Sequence, residues 1–245
     1  MVGCPIDDGY ILSVDEPVYH YVPELREKGF ENVTIRHLLQ MTSGINFSEV
    51  YYNPFRGPVD LYYSEDIYSS LLGLKVTKEP GTRHNYNSGD SQLLGLVLHR
   101  ALKGMTITSY MQERLWGPLG MEYAGSWVID SEESGMEKTF CCLSGSPVDF
   151  AKFGRLFMHG GVWNGQRIVS EEWIRESTKT DTMYGSDRGY QYHWHVTDNS
   201  FSAYGYAGQV VYVEPERGLI FVRAGTDRSR LNWGLFFSVV SQALQ

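Results

Sequence analysis

Pro80-Gly81-Thr82-Arg83-His84-Asn85-Tyr86-Asn87-Ser88-Gly89-Asp90-Ser91-Gln92-Leu93-Leu94-Gly95 sets one polar aromatic residue between a tight turn and an apolar run. Pro80-Gly81 is a turn pair, and Asn87, Ser88 and Gly89 either hydrogen-bond their own backbone or accept positive φ, so Tyr86 falls on a pinned loop. Behind it, Asp90 or Ser91 supplies an N-cap. Leu93, Leu94, Leu96, Val97, Leu98 and Leu102 then form a broad apolar stripe, which predicts a helix near 90–103. A phenol held over a helix N-terminus suits a general base, because the helix dipole favours the phenolate.

On the N-terminal side, residues 1–9 read as the last turns of an apolar helix ending at Gly9, and Thr34 caps a short helix over 35–41 that Gly44 ends. His37 on that helix reads as structural, since it lacks catalytic partners nearby. Tyr51, Tyr52, Phe55, Tyr62, Tyr63 and Tyr68 form a Pro-broken aromatic tract, a long loop and a helix near 64–73, which either walls a cleft or packs on the surface.

On the C-terminal side, a helix near 106–116 stops at Gly117-Pro118. Ser146-Pro147-Val148-Asp149 then combines an N-cap, a proline at the first helical position and an acid in the first turn, opening a helix with Phe150, Phe153, Leu156 and Phe157 on one face. Asn164-Gly165 predicts a type I′ hairpin, and Ser170 caps a helix containing Trp173. From about 190 the period shortens. Residues 190–197, 201–213 and 219–224 are strand-like with short connections, predicting an antiparallel sheet, and 231–244 reads as a closing helix. The expectation is an α+β fold in one domain over 1–245, with a mainly helical region at 1–185 and the sheet with its terminal helix at 186–245, their contact forming a cleft.

With 42% hydrophobic and 20% charged residues, the chain has the composition of an ordinary globular protein, and no apolar run approaches a membrane span. A net charge of −8 disfavours nucleic acid or an anionic membrane surface as partner, leaving a small molecule. Cys4, Cys141 and Cys142 make an odd count, and adjacent cysteines rarely bridge, so all three are expected as small buried hydrophobes. His193-Trp194-His195 sets two imidazoles on one strand face, with His84 as a further candidate, but no third and fourth ligand is local and no metal is expected.

Several segments resemble a known family. Tyr86-Asn87-Ser88 followed by Gln92-Leu93-Leu94-Gly95 resembles the Tyr-x-Asn (or Tyr-x-Ser) motif of serine hydrolases related to class C β-lactamases, D-alanyl-D-alanine carboxypeptidases and 6-aminohexanoate-dimer hydrolases. Thr34-Ile35-Arg36-His37-Leu38-Leu39-Gln40-Met41-Thr42-Ser43-Gly44 and Trp116-Gly117-Pro118-Leu119-Gly120-Met121 are similar to two further segments of that family, in its order. The resemblance implies a β-lactamase/transpeptidase-like fold, amide or ester acyl transfer through a serine acyl-enzyme, and no cofactor. It assigns Tyr86 to the proton shuttle, and sets Ser88 where many members carry asparagine. Gly205-Tyr206-Ala207-Gly208-Gln209 falls at the family's Lys-Thr-Gly or His-x-Gly strand motif: Tyr206 replaces the basic residue, Gly208 lets a substrate approach the backbone, and the Gln209 N–H matches the second oxyanion donor.

The family's nucleophile sits in Ser-x-x-Lys, and none of Lys28, Lys75, Lys78, Lys103, Lys138, Lys152 and Lys179 has a serine three residues before it. The match begins just after that motif, so the chain is expected to be N-terminally truncated, without the strands and motif that open the fold, and inactive as written. The alternative is a pseudoenzyme or gene remnant that at most binds a peptide-like or ester ligand. Ser88 and Ser91 have no lysine or histidine in register to act as substitutes. The strand at 219–224 is expected to keep an open edge prone to self-association, and the compartment, cytoplasm or periplasm, stays open.

Overall fold

The computed structural model describes residues 1–53, 55–187, 189–226 and 231–244. In the first half, short helices surround one long buried one. These are α1 (Gly3–Asp7), α2 (Ile35–Leu39), α3 (Gly57–Tyr63), α4 (Ile67–Leu72), α5 (Ser88–Ala101) and α6 (Ile107–Met111), the last continued by a π turn over Gln112–Trp116. Helix α5 buries Leu93, Leu94, Leu96, Val97 and Leu98, and Leu102 just beyond it is buried too. Its register therefore holds as expected, but it starts two residues early. Asn87, in extended conformation, caps it by accepting the Asp90 N–H at 2.8 Å. Asp90 is not the cap, because its carboxylate is taken up by the Ser43 hydroxyl and the Asn87 amide.

A two-stranded ladder of β1 (Ser126–Trp127) and β2 (Leu143–Ser144), too short to announce itself by periodicity, leads to α7 (Pro147–Met158). Ser146 caps α7, accepting the Asp149 N–H at 3.1 Å. The hairpin of β3 (Val162–Trp163) and β4 (Gln166–Arg167) turns at Asn164 and Gly165, both at positive φ as a type I′ turn requires. Ser170 then caps α8 (Glu171–Thr178).

The sheet is an antiparallel meander of five strands, β5 (Tyr190–Gln191), β6 (Trp194–Val196), β7 (Phe201–Tyr204), β8 (Val210–Glu214) and β9 (Leu219–Arg223), followed by α9 (Trp233–Ala243). Two of the three expected strands are thus hairpins. Tyr192 and His193 turn the chain with φ of 42° and 69°, and residues 205–209 turn it again. No Gly, Pro, Asn, Asp or Ser marks the first of these turns, which is why it reads as continuous strand. His193 therefore lies in a turn, and His193 and His195 do not share a strand face.

Strand alternation gives the sheet two faces. Trp194 and Phe201 face α7, with Phe157 4.8 Å from the Trp194 ring. Tyr212 and Phe221 point the other way, where Phe237 of α9 lies 5.3 and 5.0 Å off. Arg36 ties the helical part to the sheet, its guanidinium binding Asp15 at 2.6 Å and the Tyr192 hydroxyl at 2.5 Å. A buried Gln40–Gln191 amide pair at 2.9 Å joins α2 to β5. Among the described residues β9 pairs with β8 alone, leaving its other edge without a strand as expected. No helix of the described residues is long and apolar enough to cross a membrane.

A further expectation also fails. Cys141 and Cys142 are bonded to each other across a Cα–Cα distance of 3.8 Å, and only Cys4 is a free, buried thiol. The general rule against neighbouring bridges is overcome by the backbone, since Cys142 takes the left-handed region at φ 74°.

Candidate active site

The loop before α5 is fastened before it reaches Tyr86. Gly81 N–H donates to the Thr42 carbonyl at 2.9 Å and Asn85 N–H to the Met41 carbonyl at 2.8 Å, while the Asn87 side chain holds the Asn85 carbonyl at 2.9 Å. Asn87 is buried, so Tyr86 is displayed immediately outside a fixed point. Its ring meets buried Tyr190 edge-on at 6.1 Å and keeps 48% of its surface exposed. Burial, and then the Glu49 carboxylate, raise its pKa above the ordinary tyrosine value, so the phenol stands neutral at pH 7.

Ser88, the first residue of α5, is buried and fully engaged. Its N–H and its hydroxyl donate to the two Glu49 oxygens at 2.7 and 2.8 Å. Tyr51 donates to the same carboxylate at 2.5 Å. Glu49 is the site residue that sequence reasoning missed. It lies 39 positions before Ser88 in a polar loop, and no local spacing connects the two.

Tyr51 stacks on Tyr206 with ring centroids 4.1 Å apart, so an aromatic bridge crosses from the α5 side to the sheet side. Tyr206 sits in the turn between β7 and β8. Gly208 adopts φ 81° there and donates to the Gly205 carbonyl at 3.0 Å, and Arg223 donates to the Gly208 carbonyl. The Gln209 side chain folds back to accept the Ala207 N–H at 2.9 Å, and its carbonyl accepts from Gly205 at 2.9 Å. Residues 205–209, expected to match a strand motif, form a five-residue turn between β7 and β8.

These residues meet in one cleft of about 1020 Å³. Tyr86 and Ser88 lie on one side, Tyr206 and Gln209 on the other, and Gly208 lies just behind through Arg223. Tyr51, Tyr62 and Tyr63 of the aromatic tract line it, whereas Tyr52 and Phe55 face solvent and Tyr68 binds Glu24 at 2.8 Å. Further walls come from Trp127, the 139–145 segment and the start of α7, from Pro58 and Val59 of α3, and from the sheet through β7, β8 and residues 222–225 at the end of β9. The 139–145 segment is fixed to α5 by Gln92, which donates to the Glu137 carbonyl at 2.9 Å and accepts the Thr139 N–H at 2.8 Å. Gly95 permits the approach, as a methyl group there would fall 2.1 Å from the Thr139 hydroxyl.

The histidines lie apart from this chemistry. His37 closes a capping box with Thr34, its N–H reaching the Thr34 hydroxyl at 3.4 Å and its Nδ1 accepting the Thr34 N–H at 3.2 Å. His193 is held neutral, its pKa pushed down to about 4 by burial. Among the described residues, no three His, Cys, Asp or Glu side chains cluster as metal ligands.

The Beta-lactamase family model matches residues 7–230. The chain is 24% identical to the 6-aminohexanoate-dimer hydrolase of Paenarthrobacter ureafaciens over 265 aligned positions, covering 95% of this chain and spanning 65% of that curated relative's length. A Bacillus anthracis structure provisionally described as a 6-aminohexanoate-dimer hydrolase superposes with a TM-score of 0.84 at 20% identity, over 99% of this chain and 69% of its own. A family VIII carboxylesterase superposes with 0.74 at 18% identity, over 100% and 79%. Fold, segment order and family match agree: the chain belongs to the Beta-lactamase family of β-lactamase-related hydrolases.

Proposed function

We propose that this chain carries the substrate cleft of a serine hydrolase for small-molecule amides or esters, and that its 245 residues by themselves do not turn substrate over. The observation that supports this reading is the meeting of Tyr86 with the 205–209 turn across one cleft that holds no Ser-x-x-Lys pair. Acyl transfer needs a nucleophile, a base for its proton and donors for the oxyanion. Tyr86 is the proton-shuttling residue of the complete site. Tyr206 and the Gln209 N–H are its substrate and oxyanion contacts, Gly208 shapes the turn behind them, and Ser88, held by Glu49, supports the cleft wall.

Ser88 does not stand in as nucleophile. Its hydroxyl donates to Glu49, which shares its two oxygens among three donors. A neutral Tyr86 with no lysine partner donates a hydrogen bond rather than accepting a proton. The pseudoenzyme reading draws on the same two facts, since an intact aromatic cleft binds a peptide-like or ester ligand without turnover.

Hydrolysis of nitrocefin and of p-nitrophenyl esters tests the proposal. The 245-residue chain is expected to match a heat-killed control. In a form that carries Ser-x-x-Lys, Tyr86→Phe is expected to lower kcat at least about 100-fold with little change in KM, since a proton shuttle acts in the transition state. Equal turnover with and without the Tyr86 hydroxyl would refute its role.

A further inference from the structure

The Cys141–Cys142 bond is unused by the chemistry above, yet both residues line the cleft and are only partly buried. A bridge between neighbours closes almost no chain, so it adds little of the loop entropy by which long-range disulfides stabilise a fold. Its surroundings are already fixed without it. Cys141 N–H donates to the Lys138 carbonyl at 3.1 Å, its carbonyl accepts the Trp127 indole N–H at 3.1 Å, and the Cys142 carbonyl accepts the Val128 N–H at 3.3 Å. Cys142 itself sits at φ 74°, a region costly for a side chain with a Cβ. Cys4 is the contrasting case, a buried thiol whose pKa is pushed up by desolvation, away from reactivity.

We propose that Cys141 and Cys142 form a redox-active dithiol–disulfide couple that exchanges with low-molecular-weight thiols entering the cleft. An incoming thiolate attacks one sulfur; the Cys141–Cys142 bond breaks, a mixed disulfide forms, and the other cysteine leaves as thiolate. A second small thiol attacks the mixed disulfide and is released with the first as their own disulfide. Two small thiols are oxidised, the protein disulfide is reduced by two electrons, and two protons end on Cys141 and Cys142. The fixed backbone on both sides confines the change to the cleft wall between Trp127 and Phe140, and the mixed disulfide sets its substituent inside the cleft. This couple does not depend on the hydrolytic reading.

The test is thiol counting on the native full chain equilibrated in glutathione buffers from fully oxidised to fully reduced. Each sample is acid-quenched and alkylated with N-ethylmaleimide in denaturant, then its intact mass is read. The chain has three cysteines, of which one is free in the bonded state. The expected result is one adduct under oxidising conditions and three under reducing conditions, reversibly and with unchanged circular dichroism. The same change is expected in Cys4→Ser, shifted to none and two, and is lost in Cys141→Ser. Three adducts in every buffer, one adduct even in excess reduced glutathione, or reduction only with loss of native structure would each overturn the proposal.

Discussion

Asp90 sits fully buried in the first turn of α5, bound by the Ser43 hydroxyl and the Asn87 amide, and burial raises its pKa to about 7. A carboxyl raised in the folded state contributes stability that is complete below its unfolded value near 3.8 and is lost as pH rises through about 7. Wild-type unfolding free energy is therefore expected to fall between about pH 4 and pH 7, by on the order of 4 kcal/mol at most. Asp90→Asn, which keeps the neutral shape, is expected to flatten that slope in urea titrations at a series of pH values; identical slopes would show that Asp90 is not the titrating group. At this scale Tyr86 was legible because the turn and cap that expose it are its sequence neighbours. Glu49 was not, because its partners Ser88 and Tyr51 are joined to it by folding and by no pattern of spacing.

Helix α7 shows what a short sequence signal is worth. Ser146 caps it, and buried Asp149 accepts from the Ser146 hydroxyl at 2.8 Å and from the Glu122 and Tyr123 N–H groups at 2.7 and 3.2 Å. Ser146→Ala is expected to cost about 1 kcal/mol. Asp149→Ala leaves two backbone donors unpaired and is expected to cost more, about 2–3 kcal/mol, by the shift in urea midpoint. An equal cost for both would contradict the anchoring role of Asp149. The Ser146 and Ser170 caps and the Asn164-Gly165 turn were legible because three or four adjacent residues determine them, whereas the α5 cap fell on Asn87 rather than Asp90 or Ser91. The turn at Tyr192 and His193 was not legible, since left-handed backbone at two bulky residues is set by packing from elsewhere in the chain, with buried Tyr192 against Trp173 at 5.4 Å. The Cys141–Cys142 bond was missed for the same reason, as it depends on the left-handed backbone of Cys142.

For the whole molecule, the order of motif segments identified the family, and of those segments the fold brings the one at Tyr86 and the one at 205–209 to a common cleft. Among the described residues one edge of β9 has no partner strand; it is apolar through Leu219, Ile220, Phe221 and Val222, and an edge of this kind is a template for a second strand. We propose that second copies of the chain pair there: sedimentation velocity is expected to show association that grows with concentration, and a monomer throughout the micromolar range would contradict it. The central claim, that the family's cleft is present without a competent nucleophile, is tested most directly by incubating the purified 245-residue chain with a fluorophosphonate and reading its intact mass. The predicted result is an unmodified chain after prolonged exposure. A single stoichiometric adduct mapped to Ser88, or to any other serine of this sequence, would contradict it.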